Sequence, residues 1–389
     1  MIAVENFVHD ASASRVVFQP GAIGRMAAEL ARIGVRRPLL VAGRRTAASP
    51  VYAEAKAALH GMIRAEFTGV PEHSSVDAVR RLRDLAADDG VDGFVAVGGG
   101  SASDTAKAAA LWLAEGGELD DHASRFRPPD ALVVPELRRP KLPIAAVPCT
   151  ASGAEVTPSL GVRAPDGHKL LFSDPKLASR LIVIDPAANL SVPAALMLST
   201  GMNGLAHCLE GLYSKVHTPV TTALALHGIR LFLESLPQVA RRPDSVDARG
   251  TLLAAAHLSG RVLLNARTCL HHAVCHAIGA VAGVAHGDAN SVMLPHAIRF
   301  NAASAPAAMK LAAEAMGCGE ESRAQEAVAD RLARLQAEIG APARLRDIGV
   351  PEALLAPIAA KAMNERGLYF NPRQVSGAQE VEAMLEQAW

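Results

Sequence analysis

From position 38 onward, short apolar runs alternate with amphipathic stretches. Residues 39–42 read as a strand, 51–60 as a helix and 65–69 as a second strand. Val79, Leu82 and Leu85 recur at helical spacing among charges, which predicts a helix over 76–88. The uninterrupted run at 93–97 then predicts a strand covered on both faces. Further strands at 144–147 and 181–184 bracket a polar stretch containing Gly and Pro. Strands alternating with helices imply a parallel sheet that binds ligands beyond the carboxyl ends of its strands. After Asp185-Pro186 the pattern changes. From 194 to 389 it is mostly long helical periods rich in Ala and Leu, punctuated by Pro219, Pro237, Pro295 and Pro351, with no internal repeat. The expected organisation is an α/β domain of nucleotide-binding type over residues 1–192 and an all-α domain over 193–389. Residues 241–249 read as a solvated, charged loop between helices.

Hydrophobic residues are 50% of the 389 and charged ones 20%, enough apolar material for a sizeable core. Lys plus Arg and Asp plus Glu both number 39, so no net field favours a nucleic acid or an anionic membrane. At 4%, aromatics are poor material for base-stacking platforms. A small-molecule partner is the expectation. Residues 1–15 carry Glu5 and Asp10 and lack a basic start followed by an apolar run, and no stretch sustains about 18 apolar residues. A cytoplasmic protein that does not cross a membrane is expected. Cys149, Cys208, Cys269, Cys275 and Cys318 are odd in number and lack CxxC spacing, which predicts buried free thiols.

Two constellations carry chemistry. The first is Gly98-Gly99-Gly100-Ser101 between a strand and a helix, followed by Asp104 and Lys107. Glycines admit positive φ and close backbone approach, and the first free N–H groups of the helix face outward, so a phosphate is the expected guest. The spacing is neither GxGxxG nor a Walker A loop. The second lies in the helical half. Asn203 and His207 are four apart, His272 and His276 repeat that spacing, and His286 follows in His286-Gly287-Asp288-Ala289-Asn290. Two residues from one helix, one from a second and one from a turn would make a four-point cage of the kind that holds zinc or ferrous iron. Asn203 offers only a neutral oxygen to such an ion.

These segments together resemble the iron-containing (group III) alcohol dehydrogenases, and most of all their maleylacetate reductase branch. The anchors are the glycine turn through Asp104 and Lys107, Asp185-Pro186, the stretch from Ser199 to His207, His271-His272 with Cys275-His276, and His286-Gly287 through Pro295. The resemblance implies a Rossmann-like N-terminal domain and a helical C-terminal domain, the dehydroquinate synthase-like fold. NAD(P)H would bind in the cleft between them, and the enzyme would be a homodimer. Carried over by position, Gly98, Gly99, Gly100, Ser101, Asp104 and Thr150 would line the cofactor site. His207, His272, His276 and His286 would be catalytic. Asn203, His207, His272 and His286 would be the ligands of Fe2+ or Zn2+ if a metal is bound. Metal-dependent members have Asp where this chain has Asn203, and the reductase branch shares the Asn. That branch also shares the doubled histidine, His271-His272, and the compact loop from Pro148 to Glu155.

The reaction so implied is reduction of maleylacetate to 3-oxoadipate, a step in aromatic catabolism. Hydride addition there makes an enolate, which histidines are suited to stabilise and protonate. The alternatives are a metal-dependent alcohol dehydrogenase acting on a small alcohol or aldehyde, and a non-catalytic nucleotide-binding protein of the same fold. Lys169, Arg267 and Arg299 are the cations nearest the site in sequence, each reading more simply as a surface residue. Gly43-Arg44-Arg45 leaves NADH against NADPH open.

Overall fold

The computed structural model describes residues 6–127, 131–318 and 324–389. Residues 1–5, part of the N-terminal stretch read above, lie outside it. The N-terminal half contains β1 (Arg15–Phe18), α1 (Met26–Arg32), β2 (Pro38–Gly43), α2 (Arg44–Ala47), α3 (Pro50–Ala58), β3 (Ala65–Val70), α4 (Val76–Asp88), β4 (Gly93–Gly98) and α5 (Gly100–Glu115). After a small ribbon of β5 (Arg125–Arg127) and β6 (Ala131–Val133) come β7 (Ile144–Pro148), the hairpin β8 (Ser159–Arg163) and β9 (Lys169–Ser173), and β10 (Leu181–Ile184). The rest is helical: α6 (Ala194–Tyr213), α7 (Pro219–Arg241), α8 (Val246–Ala266), α9 (Leu270–Ala282), α10 (His286–Asn301), α11 (Pro306–Ala315), α12 (Ala324–Ile339), α13 (Leu355–Ala362), α14 (Gly367–Phe370) and α15 (Ala378–Ala388).

Six strands form one parallel sheet in the order β1-β10-β7-β4-β2-β3. The chain runs from β2 outward to β3 and then returns past β2 to β4, so the strand order reverses at β2 and β4. The crevice beyond their carboxyl ends is where such sheets bind ligands. Every residue of β4 is buried, because helices cover both faces of the sheet. On one face Val79 and Leu82 of α4 pack with Phe94 and the Ala-rich side of α5, while the other face joins the core beneath α6, α7 and α8. α9, α10, α13 and α15 enclose a third core. No helix is long and apolar enough to cross a membrane among the described residues.

Local chemistry sets the element ends. Ser75 caps α4 by accepting from Ala78 N, and Thr218 and Thr221 form a reciprocal capping box at α7, with Pro219 in its first turn. Asp185 accepts four main-chain N–H groups, from Gly21, Ile23, Ala187 and Ala188, and so ties the turn after β1 to the end of β10.

Several expectations need correction. β1 and the β8–β9 hairpin were not among the predicted strands: their apolar runs, 16–18 and 170–172, are only three residues long. Arg249 belongs to α8 and not to a solvated loop: it is buried and donates to Asn189 and to the Pro243 carbonyl. Pro237 and Pro295 lie inside helices and do not punctuate them. Pro295 cannot donate to the Ser291 carbonyl one turn back, and the Gln336 side chain of α12 does so at 2.7 Å. All five cysteines are free, four of them buried.

Candidate active site

At the sheet end, β4 leads directly into α5. Gly98 has φ +145, and Gly99 is the N-cap of α5. A Cβ on Gly99 would lie 2.7 Å from Thr150 Cγ2, so only glycine lets this turn pass the loop after β7. The result is a bare backbone cradle whose first helical N–H groups face the crevice. Ser101 donates its hydroxyl to the Glu72 carbonyl, and Thr150 Oγ1 lies 3.3 Å from Ser152 Oγ.

Below the turn the charged residues tie α5 to the neighbouring β8 and the loop after β7. Asp104 accepts the Gly161 N–H of β8 at 3.1 Å, and buried Lys107 donates to the Ala154 carbonyl at 2.8 Å. Burial pushes the Asp104 carboxyl up and the Lys107 amine down. Glu155, in the same loop and also buried, is pushed up to about 7 by desolvation.

At the helical end, α6 presents Asn203, His207 and Glu210 on one face, and α9 presents His271, His272, Cys275 and His276. His286 opens α10, where Gly287 packs so tightly on α6 that a Cβ would meet Ser199 Oγ at 2.4 Å. The four expected histidines do gather. His207 stacks on His272 at 4.5 Å between ring centroids, His276 on His286 at 5.3 Å, and His272 lies 5.9 Å from His286. Burial first, and the neighbouring imidazoles second, hold His207, His272 and His286 well below the usual histidine range, so all three are neutral.

Two carboxylates that the sequence reading overlooked orient this cluster. Glu210, fully buried, lies 2.5 Å from His272 Nδ1, and Glu365, just before α14, lies 3.2 Å from His276 Nδ1. Burial pushes Glu210 up while it pushes His272 down, so the proton between them rests on Glu210 Oε2, which donates to His272 Nδ1. The neutral imidazole's single proton is then on Nε2, donated to Asn203 Oδ1 at 2.8 Å. Burial raises Glu365, but its bond to His276 and the charges around it bring it net below the carboxylate norm. Glu210 was findable, being one helical turn beyond His207. Glu365 is distant in sequence from its partner and had no signal.

The residues do not fit a divalent ion in this arrangement. Asn203 supplies no charge, and the one outward nitrogen of His272 is spent on it. Among the described residues only Glu210, His271 and His272 bring three ligand-type atoms within 4.8 Å of one another; His207, His272 and His286 do not. The Glu210 group is itself a closed hydrogen-bonded set. Cys275 lies against His271 with its thiol pushed well up by burial, which leaves it inert.

Between the β8–β9 hairpin and the helices, a cavity of about 150 Å³ is lined by Thr157, Ser159, Arg267, His276, Glu365 and Arg366 among others. It reaches the histidine cluster through His276.

Known proteins are similar to this chain along nearly its whole length. Residues 13–186 match the iron-containing alcohol dehydrogenase family, and 197–389 match the C-terminal part of the Fe-containing alcohol dehydrogenase family. Maleylacetate reductase of Pseudomonas knackmussii is 30% identical over 370 residues, covering 95% of this chain and 94% of that protein. 4-Hydroxybutyrate dehydrogenase of Cupriavidus necator is 31% identical over 379 residues, covering 95% and 96%. The crystal structure of maleylacetate reductase from Agrobacterium tumefaciens superposes with a TM-score of 0.83 at 27% identity, covering 99% of this chain and 98% of that one. With both halves matched and the α/β and helical parts in place, the chain is an oxidoreductase that belongs to the iron-containing alcohol dehydrogenase family.

Proposed function

We propose that this enzyme is an NAD(P)H-dependent maleylacetate reductase that works without a metal, residues 1–192 holding the dinucleotide and 193–389 the reacting histidines. The observation that carries the reading is Asn203, a neutral acceptor 2.8 Å from His272 Nε2, where a metal would need a charge and a free lone pair. Two of the relatives described above carry the name maleylacetate reductase, which supports the substrate in this reading.

The cradle of Gly98, Gly99 and Gly100 fits a pyrophosphate, being free of side chains and facing the N-terminus of the 16-residue α5. Ser101, Asp104 and Thr150 border it, Asp104 from below as a tie to β8. Bound there, the dinucleotide supplies the hydride that reduces the carbon–carbon double bond of maleylacetate. The ketone conjugated to that bond then becomes an enolate, which needs a hydrogen bond at oxygen and a proton at carbon. Neutral imidazoles are suited to the first task, since they donate an N–H without an ion to desolvate. His286 stacks on His276 and faces the same space, and His207 backs His272. For the second task, Glu365 orients the His276 ring through Nδ1, and the proton for carbon comes from His276 Nε2 and is regained from solvent through the cavity.

The test is oxidation of NADH and of NADPH with maleylacetate against a panel of aldehydes and ketones, with and without a chelator. Chelator-resistant turnover of maleylacetate is expected. Turnover of simple aldehydes only, abolished by the chelator, overturns the reading in favour of a metal-dependent alcohol dehydrogenase.

A further inference from the structure

Two arginines in the cavity beside His276 have no ion-pair partner among the described residues. Arg267 ends α8 and Arg366 precedes α14, and both are half-buried where they line the pocket. Among the described residues no carboxylate comes within ion-pair distance of either guanidinium, and neither donates a side-chain hydrogen bond; Asp10 acts on Arg267 only from farther away. The one acidic group in the pocket lining, Glu365, is engaged with His276. The Arg366 guanidinium also lies 5.5 Å over the Phe370 ring. Partial burial beside a like charge is unfavourable: desolvation first, and Arg267 second, pull Arg366 down to about 10.

The backbone shows a second, independent cost. Arg267 has φ +65, and it is the only non-glycine residue with positive φ among those described. It occupies the helix C-cap position where glycine sits without strain. A strained backbone and an unpaired, half-buried charge at one pocket are tolerated where a ligand completes the arrangement.

We infer that Arg267 and Arg366 form a carboxylate clamp that fixes the end of the substrate remote from the reacting carbon and makes the enzyme select carboxylate-bearing substrates. The inference rests on the proposed reductase reading for the position of the reacting carbon beside His276. Guanidinium groups recognise carboxylates by paired N–H donors, a geometry lysine does not supply. The clamp predicts a substrate with a carboxylate and a carbonyl on one short chain, and it excludes simple alcohols and aldehydes.

The experiment uses the full-length enzyme saturated with NAD+ and titrates succinate by calorimetry, alongside steady-state kinetics with maleylacetate. Arg366→Gln and Arg267→Gln are each expected to weaken succinate binding and raise KM by about 10- to 100-fold, with kcat within about threefold, the effect of losing a charge-assisted bond. Arg366→Lys should recover only part of the loss. Arg267→Gly relieves the left-handed strain and should lose succinate while melting no lower than the parent. No succinate binding by the parent enzyme, or unchanged binding and KM in both Gln variants, overturns the clamp. Arginine-dependent succinate binding without reduction of maleylacetate upholds the clamp and overturns the reductase reading.

Discussion

Replacing Glu155 with Gln tests how the charges beneath the glycine turn set the pH range of the fold. Glu155 is buried beside Lys107, and desolvation moves its carboxyl from an ordinary 4.5 to about 7. Between those values the native state holds a proton that the unfolded chain has released, so stability falls as pH rises. The contribution is whole below about pH 4.5 and is lost by the time pH passes about 7. A displacement of that size corresponds to about 3 kcal/mol. For a chain of 389 residues it equals a melting shift of about 4 °C. Lys107 runs the other way: its amine, lowered by burial, costs stability on the acid side. Comparing parent with Glu155→Gln at each pH removes such shared contributions, provided the neighbours keep their own protonation. The assay is thermal melting from pH 5 to pH 9, expressed as the difference between the two proteins. The variant should gain on the parent by about 3 kcal/mol between pH 5 and pH 8.5. A difference that stays flat across that range refutes the reasoning.

Three further outcomes follow from the geometry. Gln336→Ala leaves the buried Ser291 carbonyl without a donor and should cost about 2 kcal/mol in denaturant unfolding. Gly99→Ala drives a methyl into Thr150 and should raise the NADH dissociation constant at least tenfold, about 1.4 kcal/mol, in a fluorescence titration, with the histidine cluster unaltered. His257, His271 and His296 are each lowered to about 4, mainly by burial, so the unfolded chain binds their protons first on acidification. Their stabilisation is complete above about pH 6.5 and declines as pH falls toward 4, and melting temperature should drop steeply over that interval.

What could be read in advance depended on whether a position's environment repeats along the chain. The central strands are buried on both faces, so β2, β4 and β10 announce themselves as apolar runs. β1 buries only Val17, and the β8–β9 hairpin alternates at half-depth, so the apolar runs there, 16–18 and 170–172, stop at three residues and do not stand out. The same distinction holds at the site. Asn203, His207, His272 and His276 share helical faces and were visible as pairs, as was the glycine turn. The contact of Glu365 with His276 joins segments that are adjacent only once the helices have packed. The lack of a counter-ion at Arg366 is a property of its surroundings, and nothing in the local sequence records it. Arg249 misled for the opposite reason: its charged neighbours are solvated, while it alone turns inward to Asn189.

The parallel pairing of β1 with β10 has a consequence for how the molecule is made. The earliest strand off the ribosome takes its place against the latest, so the sheet cannot be finished until the Asp185 turn has emerged. Until then β10's future neighbour waits as a loose leader, and long-range closure of this kind is slow. Any nascent chain stalled before that turn therefore presents an open flank, and chaperone demand should peak at that length.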